Sequence, residues 1–338
     1  MTRRLTRAGV LTAAVLAAVI LQPSPAPAQA ARQRDDVVTW AASADRMGEA
    51  NADRSYRLVV RTSVAGTDLR IRLSNAFGDR PVSFGSAYAG LQAEGAALVR
   101  GSNRRLTFGG ARSVTVPAGK SVLSNPLPGR LPAGSDLVVS IRTPDAAGPA
   151  TGHGMAMQTS YAAKGDHTAE AGAEAWTDTI GSWFYLDAVS VRPQADTGAV
   201  VALGDSITDG WQSTTDLNGR LPDYLARLQK AGTPVKGVAN EGISGDQVLA
   251  DGAGQSTLNR LYRDVLSHPG VRTVFLFEGV NDLKAHTGVT AQDLIAGYRQ
   301  IADRAPLPLG PARDGAMVRR RDPAVHPTRR GLALGPGR

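Results

Sequence analysis

Val200-Val201-Ala202-Leu203-Gly204-Asp205-Ser206-Ile207-Thr208-Asp209-Gly210 is the stretch on which the reading of this chain turns. Four consecutive apolar residues without polar alternation fit a strand covered on both faces, as in a parallel sheet. Gly204-Asp205-Ser206 ends the run, and a helix pattern follows, with Leu221, Leu225 and Leu228 spaced i, i+4, i+7. Doubly wound sheets bind ligands at the carboxyl ends of their strands. A serine placed there presents its hydroxyl at the mouth of the sheet, and its backbone N–H can face a developing oxyanion. Taken alone, the tripeptide reads equally well as an Asp/Ser turn that caps a helix.

Downstream the same texture continues. Val235–Ala239 reads as a second strand, and Leu258, Leu261, Tyr262 and Val265 as a helix. Val271–Phe277 reads as a third strand, and Ala291–Arg304 as a helix. The expected fold for residues 199–305 is α/β, a flavodoxin-like doubly wound parallel sheet, incomplete because no fourth or fifth strand is legible after it. Asn240-Glu241-Gly242-Ile243-Ser244-Gly245 follows the second strand and Gly279-Val280-Asn281-Asp282 the third. Successive parallel strands end on one edge, so Ser206, Gly242 and Asn281 are expected to converge. The N–H groups of Ser206 and Gly242 and the Asn281 amide then offer three donors to one oxyanion.

Upstream, residues 37–193 read differently. Tyr56–Val64 is rich in strand formers, and Leu69–Ser74 alternates apolar and polar residues with period two. Similar short runs occur at Ser113–Val116, Asp136–Arg142 and Ala188–Val191, separated by Gly, Pro, Asn and Asp. This pattern predicts an all-β sandwich or jelly-roll-like domain before the α/β domain. Pro193, Gln194 and Asp196 mark the boundary.

The two ends match neither texture. Residues 1–30 hold Arg3, Arg4 and Arg7, an apolar run over Gly9–Leu21, three prolines, and Ala28-Gln29-Ala30. That order reads as a secretory signal peptide, too short in its apolar run to span a bilayer. The expected location is therefore secreted, with no membrane span after cleavage. Residues 306–338 are an irregular tail rich in Arg, Pro and Gly. These ends hold the whole +8 net charge of the 338-residue chain, and acids and bases balance between them. No nucleic-acid partner is implied. With 42% hydrophobic and 20% charged residues, wholesale disorder and a polytopic membrane protein are excluded. The chain has no Cys, which excludes disulfides, thiolate metal sites and Cys nucleophiles. Neither a metal-ligand motif nor a phosphate loop is present, and no cofactor is expected.

On the blocks Gly204-Asp205-Ser206, Gly242 and Gly279-Val280-Asn281-Asp282, residues 200–304 resemble the SGNH/GDSL hydrolase superfamily of esterases and lipases. Residues 37–193, with Arg72-Leu73-Ser74-Asn75-Ala76-Phe77-Gly78, resemble the β-rich N-terminal region of secreted actinobacterial members. The resemblance implies Ser206 as nucleophile and Gly242 and Asn281 as oxyanion donors. It also implies a base His with an Asp three residues before it, near the C-terminus. Here the only such pair is Asp322 and His326, one residue too far apart and inside the Arg-rich tail. A degenerate final block after an internal deletion and a frameshifted or truncated tail both account for it. Of the other histidines, His268 precedes the third strand, His286 follows the third block, and His153 and His167 belong to the β segment. The function implied is a secreted serine ester hydrolase acting through an acyl-enzyme on carboxylic esters, such as acylated polysaccharides, short-chain acyl esters or lipids. The rival is a non-catalytic glycan- or surface-binding protein with a degenerate hydrolase domain.

Overall fold

The computed structural model describes residues 35–228 and 236–305. The residues expected to form the signal peptide, and Asp322 and His326, lie outside the described residues. Among the described residues no helix is long and apolar enough to cross a membrane.

Two antiparallel sheets make up the β-rich half. One pairs Val37–Ala41 with Leu186–Arg192, then with Gly66–Ser74, whose far side takes Ser121–Leu123 and Leu127–Leu131. The other centres on Arg54–Arg61, Asp136–Thr143 and Ser86–Glu94, joined at one side by Ser160–Lys164 and Asp178–Ile180. Alternate residues explain the packing. Tyr56, Leu58 and Val60 from one sheet share a dry core with Leu69, Ile71 and Leu73 from the other. The residues between them, such as Val59 and Val138, face the opposite side and form a small cluster of their own. Period-two alternation thus divides each strand between two faces. A third small sheet holds Pro149–His153 between Asp45–Glu49 and Trp183–Phe184.

The α/β half is a three-stranded parallel sheet in which Ala199–Gly204 lies between Gly237–Gly242 and Val271–Phe277. The second strand starts later than the apolar pattern suggested. The helix Leu221–Arg227 precedes it, and Thr257–Leu261 precedes the third. The latter helix runs into a π-turn over Tyr262–Leu266. Helix Ala291–Arg304 buries Leu294, Gly297 and Ile301, and Thr290 and Asp293 close its start as a reciprocal capping box.

The β-rich and α/β segments cluster as one compact unit. Ala42 makes a parallel bridge to Asn240, and the Val238 N–H donates to Ser63 Oγ at 2.8 Å. A Cβ at Gly237 would lie 1.9 Å from Val38 O, so only glycine permits this close crossing.

Candidate functional site

Ser206 opens a single helical turn, Ser206–Asp209, at the carboxyl end of the central strand. Asp205 caps that turn by accepting from the Ile207 N–H at 3.0 Å. Gly210 ends it in the left-handed region at φ 109°. Gly204 has to be glycine, because a Cβ there would lie 2.3 Å from both Phe277 O and Thr208 Oγ1. Ser206 is half-buried, and among the described residues its hydroxyl has no hydrogen-bond partner.

The loop after the second strand lies against this turn. A Cβ at Gly242 would come within 2.3 Å of the Asp209 nitrogen, and the Ile243 N–H donates to Gly204 O at 3.0 Å. Asp209 Oδ2 accepts from both the Ser244 N–H (2.9 Å) and the Ser244 hydroxyl (2.8 Å). Gly242 differs from its sequence reading in one respect. It is buried, and its N–H already donates to Asn240 Oδ1 at 3.1 Å. An amide engaged inside the protein is a poor oxyanion donor. Gly245, three residues on, is exposed at φ 86°, and its N–H has no acceptor among the described residues. The sequence reading passed over this glycine. The sign of it was a second Gly directly after Ser244, where a positive φ requires glycine.

Asn281 lies in the helix Val280–Lys284, after the third strand. One of its amide hydrogens goes to Asp246 O at 2.9 Å, which ties the side chain to the loop that follows the second strand. Asp282 is fully buried and accepts from the Val248 and Leu249 N–H groups at 2.9 and 3.0 Å. It orients the loop and is not placed to act as a base.

Beneath this rim lies a buried ionic cluster. Arg260, fully buried, donates to Asp246 Oδ2 (2.8 Å), Glu241 O (2.7 Å), Gly204 O (3.1 Å) and Ser43 Oγ (2.9 Å). It thereby ties two strand ends, the loop bearing Asp246 and the β-rich half to one guanidinium. Burial pushes the Asp246 carboxyl up to about 6 and the Glu278 carboxyl up to about 7, although Arg260 opposes both shifts. His268, which the sequence reading set apart from Ser206, is buried with Nε2 at 2.6 Å from Glu241 Oε1. Burial, helped by Arg72, pulls His268 down to about 3, and burial with the nearby Asp264 raises Glu241 well above the carboxylate range. The ring is engaged by Glu241 inside the core and is not a base for Ser206.

His153 is the surprise from the β-rich half. Its Nδ1 faces Ser43 O at 3.0 Å. Its Nε2 lies 3.1 Å from Met155 O and 3.0 Å from Asp209 Oδ1. Both ring nitrogens therefore meet only acceptors, which is the environment of an imidazolium. Burial lowers its pKa, but Asp209 and the two carbonyls outweigh burial and leave it raised. His153 thus faces Asp209, whose other carboxylate oxygen holds the Ser244 loop. The only hint in the sequence was a histidine between two glycines, Gly152 and Gly154. His167 bonds Glu170 and Lys164 O, and His286 is exposed at φ 52°.

Residues 202–333 match the GDSL-like lipase/acylhydrolase family, which bears out the resemblance read from the three blocks. The matched span contains Ser206, Asn281, Asp322 and His326. No curated protein matches the chain. Among solved structures, a family two carbohydrate esterase from Cellvibrio japonicus is similar at 11% identity and a TM-score of 0.26. That similarity covers 80% of this chain and 74% of the esterase chain. An overlap that loose carries no argument about fold or substrate.

Proposed function

We propose that the chain is a serine ester hydrolase in which Ser206 attacks the ester carbonyl. The observation that carries this reading is the unpaired Ser206 hydroxyl at the same sheet edge as donors held in place. The Asn281 amide is fixed by Asp246 O, and the Gly245 N–H has no acceptor among the described residues. The Ser206 Oγ–carbon bond forms as a base takes the hydroxyl proton. The tetrahedral oxyanion is held by Asn281 and Gly245, with the Ser206 N–H as a third donor. The ester C–O bond then breaks, the same proton goes to the leaving alcohol, and water hydrolyses the acyl-enzyme. His326, with Asp322, is the proposed base, because three of the four histidines among the described residues are bonded elsewhere. Acylated glycans, short acyl esters and lipids are the proposed substrates, and export through residues 1–30 is proposed with them.

Hydrolysis of an aryl acetate tests the reading on the purified full chain. Ser206→Ala and His326→Ala are each expected to lower kcat by about a thousandfold or more, with melting unchanged. His286→Ala is expected to stay within about threefold of the parent. Equal turnover by Ser206→Ala and the parent would overturn the nucleophile assignment. Full activity in His326→Ala would overturn the base.

A further inference from the structure

A polar groove of about 260 Å³ opens between the β-rich half and the loop that runs on from the Ser206 turn. Gln158, Tyr161, Asp216 and Asn218 line it, with Asp136 and Gln92 at its margin. The loop is held in an unusual shape. Gln212, Asp216 and Asn218 all lie in the left-handed region, as does Met157 across the groove. Side chains of this type adopt that conformation only where surrounding contacts enforce it. Here the contacts are Gln158 Nε2 to Asp216 Oδ1 at 2.8 Å and Thr159 Oγ1 to Asp216 Oδ2 at 2.7 Å. Arg220 holds Asn218 Oδ1 at 2.7 Å.

Those bonds leave a particular set of groups unpaired. Gln158 is only 6% exposed, yet its Oε1 is buried without a partner among the described residues. A buried unpaired carbonyl is costly unless something in the groove donates to it. The Asn218 amide nitrogen and the Tyr161 hydroxyl also lack partners among the described residues. Burial, with Asp216 nearby, raises the Tyr161 pKa, so the phenol stays a neutral donor. The groove therefore offers both donors and acceptors around an aromatic ring.

Asp136 is paired with Arg61 at 2.9 Å, while Asp216 is held only by the neutral donors of Gln158 and Thr159, so the groove disfavours an anionic ligand. Among the described residues no group of three His, Asp or Glu is arranged to hold a metal ion. A neutral ligand bearing several hydroxyl groups suits this chemistry. A volume below that of a typical drug-sized pocket suits a sugar unit of a chain that continues into solvent.

We propose that this groove binds a neutral glycan, one sugar unit of which donates a hydroxyl to Gln158 Oε1 and accepts from Asn218 and Tyr161. Its lining includes none of Ser206, Gly245 and Asn281, although the loop bearing Asp216 and Asn218 continues from the Ser206 turn.

Titration calorimetry on the Ser206→Ala full chain tests it, with the β-1,4-linked hexasaccharides of glucose, xylose and N-acetylglucosamine as probes and heparin hexasaccharide as a charged control. At least one neutral probe is expected to bind with a Kd of about 1 mM or tighter. Gln158→Leu and Tyr161→Phe should each weaken it by about tenfold. If Gln158→Leu fails to fold, Tyr161→Phe and Asn218→Gly carry the same test. The proposal is overturned if no neutral probe binds at about 10 mM, if heparin binds more tightly than every neutral probe, or if the folded variants bind as the parent does. Binding that persists while the parent shows no ester turnover would sink the hydrolase reading and leave this site standing.

Discussion

The parallel sheet has two outer strands, and they are treated in opposite ways. Gly237–Gly242 is covered by the β-rich half. Ser63 bonds its backbone, Val38 crosses over Gly237, and Ser43 reaches Glu241 at 2.8 Å. Val271–Phe277 is more apolar in sequence, yet Phe275 and Phe277 are 39% and 46% exposed. Val274 and Leu276 pack on the core from one face, and among the described residues the face bearing the two phenylalanines is open. The Gly242–Gly245 loop hangs from the covered strand and Asn281 follows the open one. The site is thus anchored from one side, by polar side chains reaching across from the β-rich half.

The largest expected effect comes from cutting the anchor. Arg260→Met leaves Asp246 buried without its cation, with Asp264 still paired to Arg263, and should cost about 3–5 kcal/mol in urea unfolding. A loss under about 1 kcal/mol would mean that the two halves are held together by the apolar core alone.

The β-rich half's second anchor should show itself in pH. His153 faces Asp209 on the Ser206 turn, the carbonyls of Ser43 and Met155, and the Trp183 ring. Its pKa is raised in the fold. A raised base binds its proton more tightly when folded. Its contribution is therefore complete below the unfolded value of ~6.5 and is lost as pH rises through the folded value. His153→Gln is expected to cost about 1–3 kcal/mol at pH 6 and progressively less in alkaline buffer. A difference from the parent that stays constant between pH 6 and 9 would break the assignment of an imidazolium.

Glu278 gives the counterpart beside the open strand, where it sits near Arg260, Thr257, Asp246 and Asp205. Its carboxyl is raised from an ordinary value of 4.5 to about 7. Here the folded protein binds the proton more tightly, so stability falls as pH climbs from 4.5 to about 7 and the penalty is then complete. Glu278→Gln removes the ionisation. It should match the parent at pH 4.5 and exceed it by about 1 kcal/mol at pH 8, measured by thermal melting.

The smallest effect is expected on the open face. Phe275→Thr should change stability by no more than about 0.5 kcal/mol and reduce aggregation on heating. A loss of about 2 kcal/mol or more would show that this face is covered in solution and that the contrast between the two edges is false.

Much of the α/β half was legible because its signals are local. Apolar runs at Val200–Leu203 and Val274–Phe277 marked the strands Ala199–Gly204 and Val271–Phe277, and Ala291–Arg304 was legible as a helix. The second strand was placed two residues early because Val235 is apolar and β-branched, while the observed strand starts at Gly237, a glycine with no β propensity, chosen for its contact with Val38. In the β-rich half, alternation located Gly66–Ser74 and Asp136–Thr143. It carried no information on pairing, since partners such as Val37 and Val191 lie far apart in the chain.

The order of three blocks, each after its own strand, was enough for the sequence alone to bring Ser206, the Gly242–Gly245 loop and Asn281 to one rim, because parallel strands share an end. Which amide in that loop is free, and that His153 and Arg260 brace it, only the tertiary structure decided. A hydrogen bond depends on positions a few tenths of an ångström apart, set by how separate segments pack together, and no local pattern encodes that distance.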